Sequence, residues 1–89
     1  SIKIGCHAHL NLHSTVGHDC VIGDYFTTAP GTKISGNCKI NDHVYFGTNS
    51  CTRQGVEVTS DVIVGLNAGV VSNINLPGTY VGTPAKKIK

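Results

Sequence analysis

Tryptophan and methionine are absent from the 89 residues, aromatics make up only 6% of them, and there are three prolines. A globule of this size usually fills its centre with large side chains, so this chain needs an aliphatic core built on a regular plan. No apolar run approaches the roughly 18 residues of a membrane span, and the opening Ser1-Ile-Lys-Ile-Gly5 lacks a secretory leader's hydrophobic region. Charge is scarce as well. Charged residues are 13% of the chain, the formal net charge is +2, and the only basic cluster is Lys86, Lys87 and Lys89. With no basic face and no interleaved aromatics, nucleic-acid binding is not expected. The four cysteines, Cys6, Cys20, Cys38 and Cys51, form no CxxC pair, which argues against a zinc ribbon or a thioredoxin-like site. A single small cytoplasmic domain follows as the expectation.

A repeat is what the chain does have. Counting in sixes from Ile4 gives Ile4, Leu10, Val16, Ile22, Thr28, Ile34, Ile40, Phe46, Thr52, Val58, Val64 and Val70, ten of the twelve aliphatic or aromatic. The next residue is mostly small. Two further on stands a column rich in Gly, Asn, Asp and His, from His7, His13 and Asp19 to Asp61, Asn67 and Asn73. These types favour or tolerate left-handed backbone angles, so the column marks corners. The fifth position, including Cys20, Phe26, Cys38, Val44, Val56 and Ile74, is again small or apolar. Neither a helical period nor a hairpin meander produces this pattern.

One short strand and one corner per hexad, three hexads to a turn, makes a triangular coil of 18 residues. The hexads at 4–75 thus predict an all-β parallel β-helix of about four coils, about 19 Å tall at the usual inter-strand spacing. Stacking places Ile4 under Ile22, Ile40 and Val58, and Cys20 under Cys38 as two packed thiols. Residues 1–75 are read as the β-helix. Residues 76–89 are read as a C-terminal flap and basic tail, with Pro77 and Pro84 expected to end regular pairing. The first coil leaves an open strand edge, expected to be covered by a preceding domain or a partner.

His18 is the strongest candidate for chemistry. It falls at a corner, where a side chain points outward, and an imidazole suits proton transfer near neutral pH. Asp19 follows at once, and a corner can turn its carboxylate back to fix the ring's tautomer and stabilise the imidazolium. His7, His13 and His43 read as ordinary corner residues. His13 and His18 on adjacent corners also resemble γ-class carbonic anhydrase, a zinc enzyme on a trimeric β-helix, but a catalytic zinc needs a third ligand that the chain does not supply. No metal is therefore expected.

The hexads, the segment Leu10-Asn-Leu-His-Ser-Thr-Val-Gly-His-Asp-Cys-Val-Ile-Gly-Asp24, Ser35-Gly-Asn37, Phe46-Gly-Thr-Asn-Ser50, Ala68-Gly-Val-Val71 and the ending Tyr80-Val-Gly-Thr-Pro-Ala-Lys86 resemble one family. It is that of the hexapeptide-repeat sialic-acid O-acetyltransferases and nucleotide-amino-sugar N-acetyltransferases, in its β-helical half. The resemblance implies a left-handed coil and a homotrimer, with acetyl-CoA in the groove between two prisms. It implies acetyl transfer to an amino or hydroxyl group of a sugar or nucleotide sugar, with His18 as general base and Asp19 as its partner. Thr27, Thr48, Leu66 and Lys86 stand at positions that meet acetyl-CoA, although relatives carry histidine where this chain has Thr27. Family members also begin with an α/β nucleotide-sugar-binding domain that nothing here resembles. A γ-class carbonic-anhydrase-like zinc protein and a non-catalytic trimeric β-helix scaffold are the alternatives.

Overall fold

The computed structural model describes residues 1–89, built of strands and turns without a helix. In chain order the strands are β1 (Lys3–Ile4), β2 (Thr15–Val16), β3 (Val21–Ile22), β4 (Thr27–Thr28), β5 (Lys33–Ile34), β6 (Lys39–Ile40) and β7 (Val44–Phe46). They continue as β8 (Cys51–Thr52), β9 (Glu57–Val58), β10 (Val62–Val64), β11 (Gly69–Val70), β12 (Gly78–Val81) and β13 (Lys86–Lys87). Three sheets form the walls of a prism: β1-β3-β6-β9, β4-β7-β10-β12-β13 and β2-β5-β8-β11. All pairings except β12 with β13 are parallel. Their registers, such as Ile4 with Ile22 and Ile22 with Ile40, repeat every 18 residues, as three hexads per coil require.

Corners explain why strands this short can wind continuously. Eleven of the twelve corner residues, from His7 and His13 through Gly55 and Asp61 to Asn67, have φ between 55° and 81°, and only Asn73 does not. An ordinary residue loses about 1–2 kcal/mol in that region, which Gly avoids and Asn and Asp tolerate. Tyr25 is the bulky exception. Its ring lies between those of His7 and His43, 4.9 Å from each and nearly parallel to both.

Inward residues of the first and fifth columns make one continuous core. It includes Cys20, Ile22, Phe26, Ile34, Cys38, Ile40, Phe46, Val56, Val58 and Val64, all buried. Phe26 meets Phe46 edge-on at 6.0 Å. Cys20 and Cys38 are free thiols stacked one coil apart, and burial pushes the Cys20 thiol above its ordinary pKa. Polar residues in the inward columns are satisfied within the fold. Thr32 Oγ1 donates to the Ala29 carbonyl at 3.0 Å, and Thr52 Oγ1 accepts from the Ser35 amide at 3.0 Å. No buried side-chain polar atom lacks a partner, so the core carries none of the penalty of an unmade hydrogen bond. At the first coil Ile4 and Leu10 are exposed.

The repeat ends differently from the sequence expectation. Val70 continues the 18-residue spacing, its partner being Thr52, but Ile74 pairs with Val58 at a spacing of 16. The corner at 71–73 is thus two residues shorter than the others, which is why Asn73 has no left-handed φ. The count expected to run to 75 therefore changes at this corner. Pro77 and Pro84 do not end pairing either, because both flank β12 rather than interrupt it. That strand lies parallel on β10, with Val62 opposite Gly78 and Val64 opposite Tyr80, and β13 returns antiparallel along it. Gly82 and Ala85 then fasten the closing turn to Gly69 by two backbone hydrogen bonds.

Candidate functional site

His18 sits at the corner joining β2 to β3, held on the next coil by two backbone bonds. The Gly17 amide donates to the Ile34 carbonyl at 2.7 Å, and the His18 carbonyl accepts from the Asn37 amide at 2.8 Å. Gly17 lets these two corners approach: a Cβ on it would stand 2.6 Å from the Gly36 amide nitrogen. Asp19 occupies the left-handed position, with φ of 57°, and this reversal turns its carboxylate back to the preceding side chain. Its Oδ2 lies 3.2 Å from His18 Nδ1.

The hydrogen bond with His18 helps hold the Asp19 carboxyl below its ordinary 3.8, so the group is a carboxylate at neutral pH. An ionised carboxylate only accepts hydrogen bonds. Nδ1 must therefore carry the proton of a neutral ring, leaving the lone pair on Nε2. Both side chains are largely exposed, at 66% and 60%, so a substrate can reach the ring.

Other residues expected at the site lie elsewhere on the prism. Thr48 and Leu66 are exposed at successive levels of the corner between the β4 and β2 sheets, with the Asn67 amide bonded to the Thr48 carbonyl. Thr27, half-buried on β4, pairs with His9 and Tyr45 on the adjoining wall. Lys86 is exposed on β13 opposite Val81, whose side chain lies over Gly65. Thr48, Leu66 and the β12–β13 pair thus mark one edge, while His18 and Asp19 mark another. A single chain does not bring the two groups together.

His7 and His43 belong to the aromatic stack at the third edge, and the His13 carbonyl accepts from the Lys33 ammonium. No three His, Cys, Asp or Glu side chains gather to hold a metal, and His13 and His18 stand on different corners.

Gly36 lies within the Ser35-Gly-Asn37 segment, to which the sequence alone assigns no role. It stands one coil beyond His18, and the imidazole occupies the space that a Cβ on Gly36 would need. The signal was the 18-residue interval, visible once a coil is known to hold three hexads.

No family model matches the chain. A search of curated proteins finds GDP-perosamine N-acetyltransferase of Escherichia coli O157:H7, 49% identical over 53 residues, which are 60% of this chain and 24% of that protein. An acyl-[acyl-carrier-protein]–UDP-N-acetylglucosamine O-acyltransferase of Anaeromyxobacter sp. (strain K) is 35% identical over 72 residues, 81% of this chain and 28% of that one. Among solved structures, WeeI from Acinetobacter baumannii AYE superposes with a TM-score of 0.93 at 44% identity, over 97% of this chain and 43% of its own.

The chain matches the β-helical part of acetyltransferases. Its fold is their left-handed parallel β-helix, and the acetyltransferase domain of PglB from Neisseria gonorrhoeae FA1090, solved with acetyl coenzyme A, shares it with a TM-score of 0.82 at 27% identity. The chain spans about a quarter of these curated relatives' length and about half that of the solved chains.

Proposed function

We propose that the chain forms the acetyl-transfer part of an enzyme that moves an acetyl group from acetyl-CoA to the amino group of a nucleotide-linked sugar. The observation that carries this reading is the His18–Asp19 pair, at 3.2 Å on an exposed corner, in a β-helix of the acetyltransferase kind. The relative that acts on GDP-perosamine suggests an amine acceptor; a sugar hydroxyl is the other nucleophile the same chemistry serves.

His18 Nε2 accepts a proton from the acceptor nitrogen as that nitrogen bonds to the thioester carbonyl carbon. Asp19 holds the ring in the tautomer with Nε2 free and stabilises the imidazolium that forms. Backbone N–H groups stabilise the tetrahedral oxyanion, the C–S bond breaks, and the CoA thiolate takes the proton from the His18 imidazolium, restoring the neutral ring. Transfer is direct, with no acyl-enzyme; Cys20 is buried and serves as packing.

The separation of His18 from Thr48, Leu66 and Lys86 on one prism favours a homotrimer in which acetyl-CoA lies between two copies. One copy would supply His18 and Asp19, and its neighbour the edge bearing Thr27, Thr48, Leu66 and Lys86. Lys86 would meet phosphate as a point charge.

The test is acetyl transfer to GDP-perosamine, followed by thiol release. His18→Ala should lower kcat by about 10²- to 10⁴-fold, the usual worth of a positioned base. Unchanged turnover would remove His18 from the mechanism. Failure of the intact assembly to bind acetyl-CoA would favour a non-catalytic scaffold.

A further inference from the structure

We infer that Gly36 is a positioning residue for His18. Its missing side chain is the shelf that lets the imidazole lie at its corner with Nε2 free. A Cβ built on Gly36 would stand 2.7 Å from His18 Nε2, 2.9 Å from Cε1 and 3.0 Å from Cδ2. Those three atoms form the outer edge of the ring, the edge not held by Asp19. Gly36 itself is buried although it lies at a corner, consistent with the ring covering it.

The backbone does not require glycine at this point. Gly31 and Gly55 occupy left-handed corner positions, with φ of 79° and 81°, but Gly36 is not among the residues of positive φ. Nor does the β-helix require it. The equivalent third position of the other hexads holds Cys6, Leu12, His18, Asp24, Pro30, Asp42, Thr48, Gln54, Ser60, Leu66 and Ser72. Eleven hexads carry a side chain there, and the one that does not lies directly over the candidate base.

Two constraints thus hold the ring. Asp19 bonds Nδ1 and sets rotation about the ring axis, while the flat Gly36 backbone sets the height of Nε2 above the corner. A methyl group on residue 36 would lift or swing the imidazole until Nε2 cleared it. A displacement near 1 Å of a reacting atom is enough to reduce turnover by about 10²-fold. This inference rests on the reading of His18 as base.

The experiment compares wild type, Gly36→Ala, His18→Ala and the double variant, assayed with acetyl-CoA and GDP-perosamine. The His18 ring carbon resonances are followed by NMR through a pH titration. Gly36→Ala should lower kcat by about 10- to 100-fold while changing KM for acetyl-CoA by less than about twofold. It should also shift the His18 ring resonances and add nothing to the loss already caused by His18→Ala.

If His18→Ala abolishes turnover while Gly36→Ala retains wild-type kcat and ring resonances, the role of Gly36 is overturned and the base survives. If His18→Ala keeps full turnover, the base assignment fails, and the ring resonances alone then decide whether Gly36 positions the imidazole. Should Gly36→Ala fail to assemble, the double variant, with the obstructing ring removed, should recover the fold; continued misfolding would refute the steric argument.

Discussion

Asp19 does two things with one carboxylate. It takes the left-handed angle that the corner needs, and that same angle directs its oxygen to His18. Because the hydrogen bond with His18 helps lower its pKa in the folded state, its stabilising contribution is present above the ordinary value of 3.8 and is lost as pH falls through the folded value. The thermal midpoint of wild type should therefore exceed that of Asp19→Asn by a constant margin from neutral pH down to about pH 4, and the margin should close below that. Thermal melts at several pH values in low salt would show it. A margin that persists at pH 2 would exclude the charged contact as its source. The corner at Asp19 was legible in the sequence because the preference for a left-handed angle is local. Gly36 was not, since its purpose depends on where a ring 18 residues away comes to rest.

Among the elements, corners rather than strands hold the specific information. Most strands are two residues long and any β-branched pair would serve, whereas each corner must supply one left-handed residue. Asn67→Ala should destabilise the chain by about 1–2 kcal/mol, and Asn67→Gly by much less, because only alanine meets the full steric penalty. Urea denaturation of the two variants compares them directly, and equal midpoints would refute the argument. In the core, Phe46→Ala removes a fully buried ring that packs against Phe26, and a loss of about 3–5 kcal/mol is expected in the same measurement.

The hexad columns and the wall partners could be read from the sequence because each depends on a count of six or eighteen. The shortened corner at 71–73 escaped that count for a specific reason. Ile74 is apolar whether it is taken as a fifth-position residue or as the partner of Val58, so the pattern looks unbroken on either reading. Likewise the parallel pairing of β12 was hidden by Pro77 and Pro84, which lie outside the paired residues.

For the whole molecule, the prism measures 31 × 23 × 22 Å and carries its candidate base and its candidate cofactor edge at different corners. If three copies complete the site, sedimentation should give three times the 9.3 kDa chain mass, and dilution into monomer should abolish transfer without unfolding the coils. Full turnover by a monomer would refute a shared site. The two edges are legible in the sequence only through the eighteen-residue count. What fills the space between them depends on a neighbour that one chain's pattern does not encode.

The three-sided coil also fixes how the chain tolerates length changes. Angular position around the prism is counted in hexads, so an insertion or deletion acts as a rotation. Losing one hexad between Asp19 and Gly47 would turn all that follows by a third of a revolution, keeping every inward column in phase. Thr48 would arrive at the edge now held by Tyr25 and His43. Such a protein would fold with its core columns intact and its cofactor edge on the wrong side, whereas an eighteen-residue change would only alter the height. The bearing of one edge from another is thus inherited as arithmetic on chain length, independent of which residues fill the walls.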